Sequence, residues 1–153
     1  MKYGRLVILL NGRHAGRKAV IVKVHEESNA DRRFPHALVA GIDRYPRKVH
    51  KRLSKTKADR KLKIKPFFKY VNLNHLMATR YHLAAELELD GFNKSVEEVV
   101  KGGQKDVLSK PDQRVVFKKK LKTLFETRYR ALTLNSNDEK TEKMRFFFSK
   151  LRF

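Results

Sequence analysis

The sequence predicts an α+β chain: a β-rich half over residues 1–90, then a helical extension over 91–153 that ends in a basic, aromatic tail. Three observations predict it. Short apolar runs bounded by turn residues recur up to Pro46 and return from Pro66, which is the pattern of strands. Beyond Ser95 the apolar spacing changes to three to five residues, which is helical. Between the two β stretches, residues 47–65 carry lysine or arginine at more than half of their positions. A length of 153 residues suits one domain with a real core, or a small domain with extensions.

In order along the chain, Leu6 to Leu10, Ala19 to Val24 and Ala37 to Ile42 are β-branched or leucine-rich runs and are read as strands. The third stops at Asp43-Arg-Tyr-Pro46, where the residue before proline is pushed out of helical space. Glu26 to Asp31 is a polar loop between the second and third runs. The stretch "RKVHKRLSKTKADRKLKIK", 47–65, offers only Val49, Leu53, Leu62 and Ile64 to a core, so it reads as a long basic loop or a weak helix that orders against a partner. "PFFKYVNLNHL" from Pro66 and "YHLAAELEL" from Tyr81 each read as a strand, joined through Met77 to Arg80.

Helical signals follow. Ser95 is expected to cap a short helix over Val96 to Val100, which Gly102-Gly103 ends. Ser109-Lys-Pro-Asp112 marks a second start, with Pro111 and Asp112 in the first turn. From there Val116, Leu121, Leu124, Phe125 and Tyr129 fall near one face, while Lys118, Lys119, Lys120, Lys122, Arg128 and Arg130 occupy most of the rest. Asn135 to Glu139 breaks that helix, and the tail runs from Lys143 to Phe153 as "KMRFFFSKLRF".

The charge balance limits the function classes. Lys and Arg number 37 against 16 Asp and Glu, a formal net charge of +21. Solubility asks for a net charge of only about 2–8 in a small domain, so a polyanionic partner accounts better for the excess, with nucleic acid foremost. A membrane is disfavoured: Leu6 to Leu10 is far shorter than the roughly 20 apolar residues of a span, and no signal-peptide or lipidation pattern is present. The absence of cysteine excludes disulfides, zinc-thiolate sites and cysteine nucleophiles, and fits a reducing compartment.

The stretch "LNGRHAGRKAVIV", Leu10 to Val22, places two glycines and several basic residues between apolar runs. A nucleotide P-loop would need wider glycine spacing, lysine after the second glycine and a hydroxyl. Here Gly12 and Gly16 are one residue too close, Arg17 follows, Ala19 brings no hydroxyl, and a strand rather than a helix comes next. The stretch reads as a β-turn-β hairpin in which Gly12 and Gly16 take backbone angles closed to other residues. A tip carrying Arg13, His14, Arg17 and Lys18 suits a nucleic-acid backbone, because glycine admits phosphate close to the main chain and arginine offers a forked donor.

This strand-glycine-strand pattern resembles the KOW motif of ribosomal proteins and transcription elongation factors. "HALVAGIDRYPRKV" from His36, "YVNLNHLMATRY" from Tyr70 and the terminal "KLRF" from Lys150 sharpen the likeness. Together they resemble the eukaryotic ribosomal protein L27e family of the large subunit, from about Lys2 to Tyr81 and again at the tail. The resemblance implies a small SH3-like β-barrel followed by a helical extension, embedded in large-subunit ribosomal RNA beside neighbouring ribosomal proteins. It implies a structural role without catalysis, cofactor, small-molecule substrate or homo-oligomer, in the cytoplasm on a ribosome assembled in the nucleolus. A KOW-bearing transcription or RNA-processing factor and a DNA-compacting basic protein remain the rival readings.

On this reading the hairpin tip is joined at the RNA by Arg44, Arg47, Lys48, Lys51, Arg52 and Lys55, and by Lys57, Arg60, Lys61, Lys63 and Lys65. Arg80, Lys118 and Lys119, with Arg145, Lys150 and Arg152 of the tail, complete the set of expected contacts. Phe67, Phe68 and Tyr70 are expected in the core, whereas Phe146, Phe147, Phe148 and Phe153 are expected to dock on RNA or a neighbouring protein. His36 and His75 read as hydrogen-bonded structural or RNA-facing groups, since no histidines stand at metal-ligand spacing. The carboxylates Glu86, Glu88, Asp90, Glu97 and Glu98 read as an exposed strand edge pairing with the chain's own lysines rather than as an acid-base pair or a magnesium site.

Overall fold

The computed structural model describes residues 1–27, 32–101, 108, 110–134 and 139–152. Five strands, β1 (Arg5–Leu9), β2 (Lys18–His25), β3 (His36–Arg44), β4 (Lys65–Asn72) and β5 (Leu76–His82), form one antiparallel sheet in the order β4-β3-β2-β1-β5. Helix α1 (Lys55–Leu62) interrupts the sheet between β3 and β4, and α2 (Leu89–Lys101), α3 (Pro111–Leu134) and α4 (Glu139–Phe148) follow it. The fold is α+β.

The central strands are buried on both sides, so their near-continuous apolar runs feed two clusters by alternation. Leu6, Val20, Val22, Leu38, Ala40, Ile42 and Phe68 face the helices. Val7, Leu9, Ala19, Ile21, Ala37 and Val39 face the other way, where Phe67 and Val71 of β4 and Leu76 of β5 join them. Both edge strands therefore reach one inner cluster, which requires a strongly curled sheet. Bulges between Arg5 and Val7, Ile21 and Lys23, and Ile42 and Arg44 supply local bends. The barrel implied by the family resemblance is nevertheless not closed: β4 and β5 are the two edges of the sheet.

Several elements differ from expectation. The joint expected at Met77 to Arg80 is part of β5, and the turn falls earlier, at a 3-10 turn over Leu73–His75 that the Asn72 side chain caps by accepting from the Asn74 amide. Tyr81 to Leu89 is accordingly no strand beyond His82. Helix α2 begins at Leu89 rather than near Val96, and Ser95 lies inside it, donating to the Gly91 carbonyl at 3.2 Å. Gly102-Gly103 and most of the break at Asn135 to Glu139 lie outside the described residues.

Helix α3 opens on Pro111 as expected, but its buried row is Phe117, Leu121 and Phe125, spaced by four, with Leu124 and Tyr129 alongside. Val116 is off that row and 51% exposed. Against it packs α4, through Thr141, Met144, Phe147 and Phe148. Phe147 and Phe148 meet the Phe125 ring edge-on at 5.3 and 6.2 Å, so these two are core rather than a free docking arm; Phe146 is half-buried, and Phe153 lies outside the described residues.

Candidate nucleic-acid interface

The β1–β2 connection folds back through two tight turns, with the Ala15 amide donating to the Gly12 carbonyl at 2.9 Å and the Arg17 amide to the His14 carbonyl at 3.0 Å. Gly12 and Gly16 sit at φ 83° and 72°, the left-handed region where a Cβ is strained. No atom lies within 4 Å of a Cβ built on Gly16, so it is backbone angle rather than crowding that favours glycine there. Arg13 projects into solvent. His14 lies flat on Phe67, ring centres 4.1 Å apart and 4° from parallel, with Nδ1 3.5 Å from Asp43. Burial lowers the His14 pKa from its ordinary value; Asp43 opposes the shift, and Arg13, Lys69 and Arg17 add to it.

Asp43 gathers the base of this tip. Lys65 reaches it at 2.9 Å and Arg17 at 3.9 Å, and the Lys65 hydrogen bond leads the effects that hold its carboxyl below the usual range. Lys18 is placed quite differently from the surface position expected of it. Only 1% exposed, its Nζ donates to the carbonyls of Phe146 (2.5 Å) and Ser149 (2.9 Å) and to the Ser149 hydroxyl (3.1 Å). The Phe146 ring closes over it at 3.7 Å. Burial pushes the ammonium pKa down to about 8, which leaves it protonated at neutral pH. Three donors meet three acceptors at a helix C-terminus, where the backbone dipole also favours a cation. Lys18 is thus an internal clamp between β2 and the end of α4.

The basic segment is a helix flanked by irregular backbone. Helix α1 has no buried residue, and its first turn carries no acidic residue. Arg44, Arg47, Lys48, Lys51, Arg52, Lys55, Lys57, Arg60, Lys63 and Lys65 are exposed, and Lys61 is half-buried, its carbonyl accepting from the Arg47 amide at 3.0 Å. Behind α1, Ile64 enters the core while its amide donates to Glu126 of α3 at 3.2 Å. Among the described residues, ion pairs engage His14, Arg17, Lys65, Lys122 and Arg128, and apart from Lys65 none of the cations of 47–65.

Two surfaces collect cations from distant stretches. Arg13 and His14 of the tip share a hollow of about 460 Å³ with Lys118 of α3, and also with Arg32, Lys69 and Arg114, which sequence reasoning did not single out. Alternation along β4 would not have found Lys69, because it shares a face with the buried Phe67 and Val71 and is nevertheless exposed. Arg47 and Lys48 share a second groove with Arg145, Lys150 and Arg152. Arg80 stands apart on β5, its guanidinium donating to the Tyr81 hydroxyl at 3.0 Å, and Lys119 lies exposed on α3.

The acidic cluster forms no strand edge. Glu88 pairs with Arg128, and Asp90 accepts from the Tyr3 hydroxyl at 2.7 Å, both at the start of α2. Among the described residues no group of three or more His, Cys, Asp or Glu is placed to hold a metal ion, and no helix is long and apolar enough to cross a membrane. His36 is buried, donating Nδ1–H to the Phe34 carbonyl at 3.0 Å; His75 is exposed on the 3-10 turn.

The sequence profile of the ribosomal L27e protein family matches residues 6–153. The chain belongs to this family. Large ribosomal subunit protein eL27 of Tetrahymena thermophila is 46% identical over 154 residues, covering 100% of this chain and 97% of the relative. The protein of the same name from Caenorhabditis elegans is 40% identical over 153 residues, with the same coverage. The L27e likeness therefore continues through residues 83–142, the stretch where motif reading alone loses it.

Proposed function

We propose that this L27e-family chain is a structural, non-catalytic constituent of the large ribosomal subunit that neutralises and orders ribosomal RNA with its basic surface and so supports translation. The observation that carries the reading is α1: eight residues with no buried side chain, in a segment whose exposed cations have almost no carboxylate partners. An isolated helix of this length is marginal in water, so a polyanion packed along it is the natural source of its order. The names of the relatives point the same way. The tip residues Arg13 and Arg17, the exposed cations of 47–65, and Arg80, Lys118, Lys119, Arg145, Lys150 and Arg152 are the proposed contacts. Lys18 is left out because its ammonium is already fully used.

In this reading the sheet half, 1–90, is an open SH3-like barrel with a KOW hairpin, and 91–153 extends it. The meander order, the 3-10 turn before β5 and the shared inner cluster of both edge strands support that. The chain would join the subunit in the nucleolus as a single copy, contact neighbouring ribosomal proteins, and work in the cytoplasm. The test is competition: purified chain bound to large-subunit ribosomal RNA should resist a mass excess of duplex DNA and release steeply with salt. Equal affinity for any duplex would favour DNA compaction and defeat the proposal.

A further inference from the structure

A groove of about 980 Å³ runs between the end of β3 and the last residues of α4. Its floor is apolar: Tyr45 and Phe148 are buried, Tyr129 and Leu132 half-buried, and the Tyr129 and Phe148 rings meet edge-on at 5.3 Å. Its rim is cationic on both sides, with Arg47 and Lys48 facing Arg145, Lys150 and Arg152. No carboxylate lines it, and among the described residues no ion pair engages any of the five.

One wall is fixed from inside. The Lys18 clamp grips the Phe146 and Ser149 carbonyls, so the chain that carries Lys150 and Arg152 leaves α4 from a pinned point. Tyr45, in the floor beside Arg47 and Lys48, is tied to the same residue, its hydroxyl accepting from the Lys18 amide at 3.1 Å. Walls held this way are pre-organised, which lowers the ordering cost of binding.

We propose that this groove is a site for one unpaired nucleotide of RNA, its base laid over Tyr129 and Leu132 and its flanking phosphates held by the two rows of cations. The proposal rests on the RNA-binding reading above and assigns it a place. An apolar floor between two positive rims matches a base between two phosphates, the arrangement by which single-stranded RNA is bound. A protein segment fits less well. No residue of the edge strands β4 or β5 lines the groove, so an extended peptide would find no sheet edge to pair with.

The test uses the full chain and two fluorescent probes, a single-stranded oligouridine and an RNA duplex of equal charge. The unaltered chain should bind the single strand more tightly. Arg145→Gln with Arg152→Gln, both exposed, should lower the salt slope of single-strand binding by about 1.4. Tyr129→Leu, which keeps the apolar bulk, should weaken it about 5- to 100-fold while leaving the slope unchanged. Lys18→Met should weaken it with the slope likewise unchanged, because Lys18 positions the wall without touching phosphate. If the Arg145 and Arg152 changes have no effect while Lys55→Gln with Lys57→Gln lowers the slope, RNA binds elsewhere and the groove is wrong although the general reading stands. If neither pair matters, the RNA reading itself fails. Stronger competition by oligoglutamate than by oligouridine would make the groove a protein-docking site and overturn the proposal.

Discussion

Lys18 shows how far one side chain can depart from its sequence surroundings. It stands among Arg13, Arg17 and two glycines at a hairpin, and every local signal assigns it to the surface. Its acceptors lie 128 and 131 residues further on, and a buried cation is tolerated only because all three reach it together. Lys18→Met removes all three of these hydrogen bonds, although the Ser149 hydroxyl still donates to the Phe146 carbonyl, with an expected loss of about 3 kcal/mol in urea denaturation. Gly41 is constrained from the same neighbourhood. A Cβ there would overlap the Phe67 ring and stand 2.7 Å from the Lys18 carbonyl oxygen, which belongs to rigid sheet backbone. Gly41→Ala should therefore cost about 2 kcal/mol, read as a lower denaturation midpoint. His14 supplies a pH effect with a definite sign. Its folded pKa is depressed, so the unfolded chain binds more protons near and below the ordinary value of 6.5. The stability present above that value drains away as pH falls, and His14→Gln should lose less than the unaltered chain between pH 7.5 and 5.

At the scale of elements, what the sequence shows depends on where each element's order originates. Strands β1, β2 and β3 were legible because their apolar runs are short, β-branched and closed by glycine, proline or polar residues. The fifth strand was misplaced. Leu87 and Leu89 alternate with Glu86 and Glu88 like a strand, yet the Leu87, Glu88 and Leu89 amides donate back to the Leu83, Ala85 and Ala84 carbonyls, a helical turn that Glu88 closes at φ 49° just before α2. Helix α4 looks like a free tail in the sequence because three consecutive phenylalanines cannot bury one another; Phe125 and Tyr129 of α3 bury Phe147 and Phe148, while Phe146 packs on Tyr81. Phe147→Ala should cost about 3–5 kcal/mol, where a docking arm would lose almost nothing. Helix α1 is the converse case. Replacing Lys51, Lys55, Lys57 and Arg60 together by Gln should leave the denaturation midpoint nearly unchanged, because no side chain of α1 is buried and Lys51 is exposed. The same variant should lower the salt slope of RNA binding by about 3. The cations that line the second groove can all be named from the sequence. Their grouping cannot, since the fold alone brings Arg47 and Arg152, from distant stretches of the chain, to one groove.

For the molecule as a whole, a net charge of +21 sets two salt effects of opposite sign. Screening relieves self-repulsion, so the free chain should melt higher at 0.3 M salt than at 0.05 M, while its grip on RNA weakens over the same range. That opposition belongs to a protein whose folded surface is completed by its partner. The sheet and the three later helices share one core, and the charge excess lies outside it on the hairpin tip, α1 and the two grooves. The central claim is that this surface is made for the large ribosomal subunit. The most direct measurement is sedimentation of the full chain from cell extract in high salt, with its amount counted against large-subunit RNA. One copy travelling with each large subunit is the predicted result; a chain found mainly free, or with polymerase or chromatin, contradicts it.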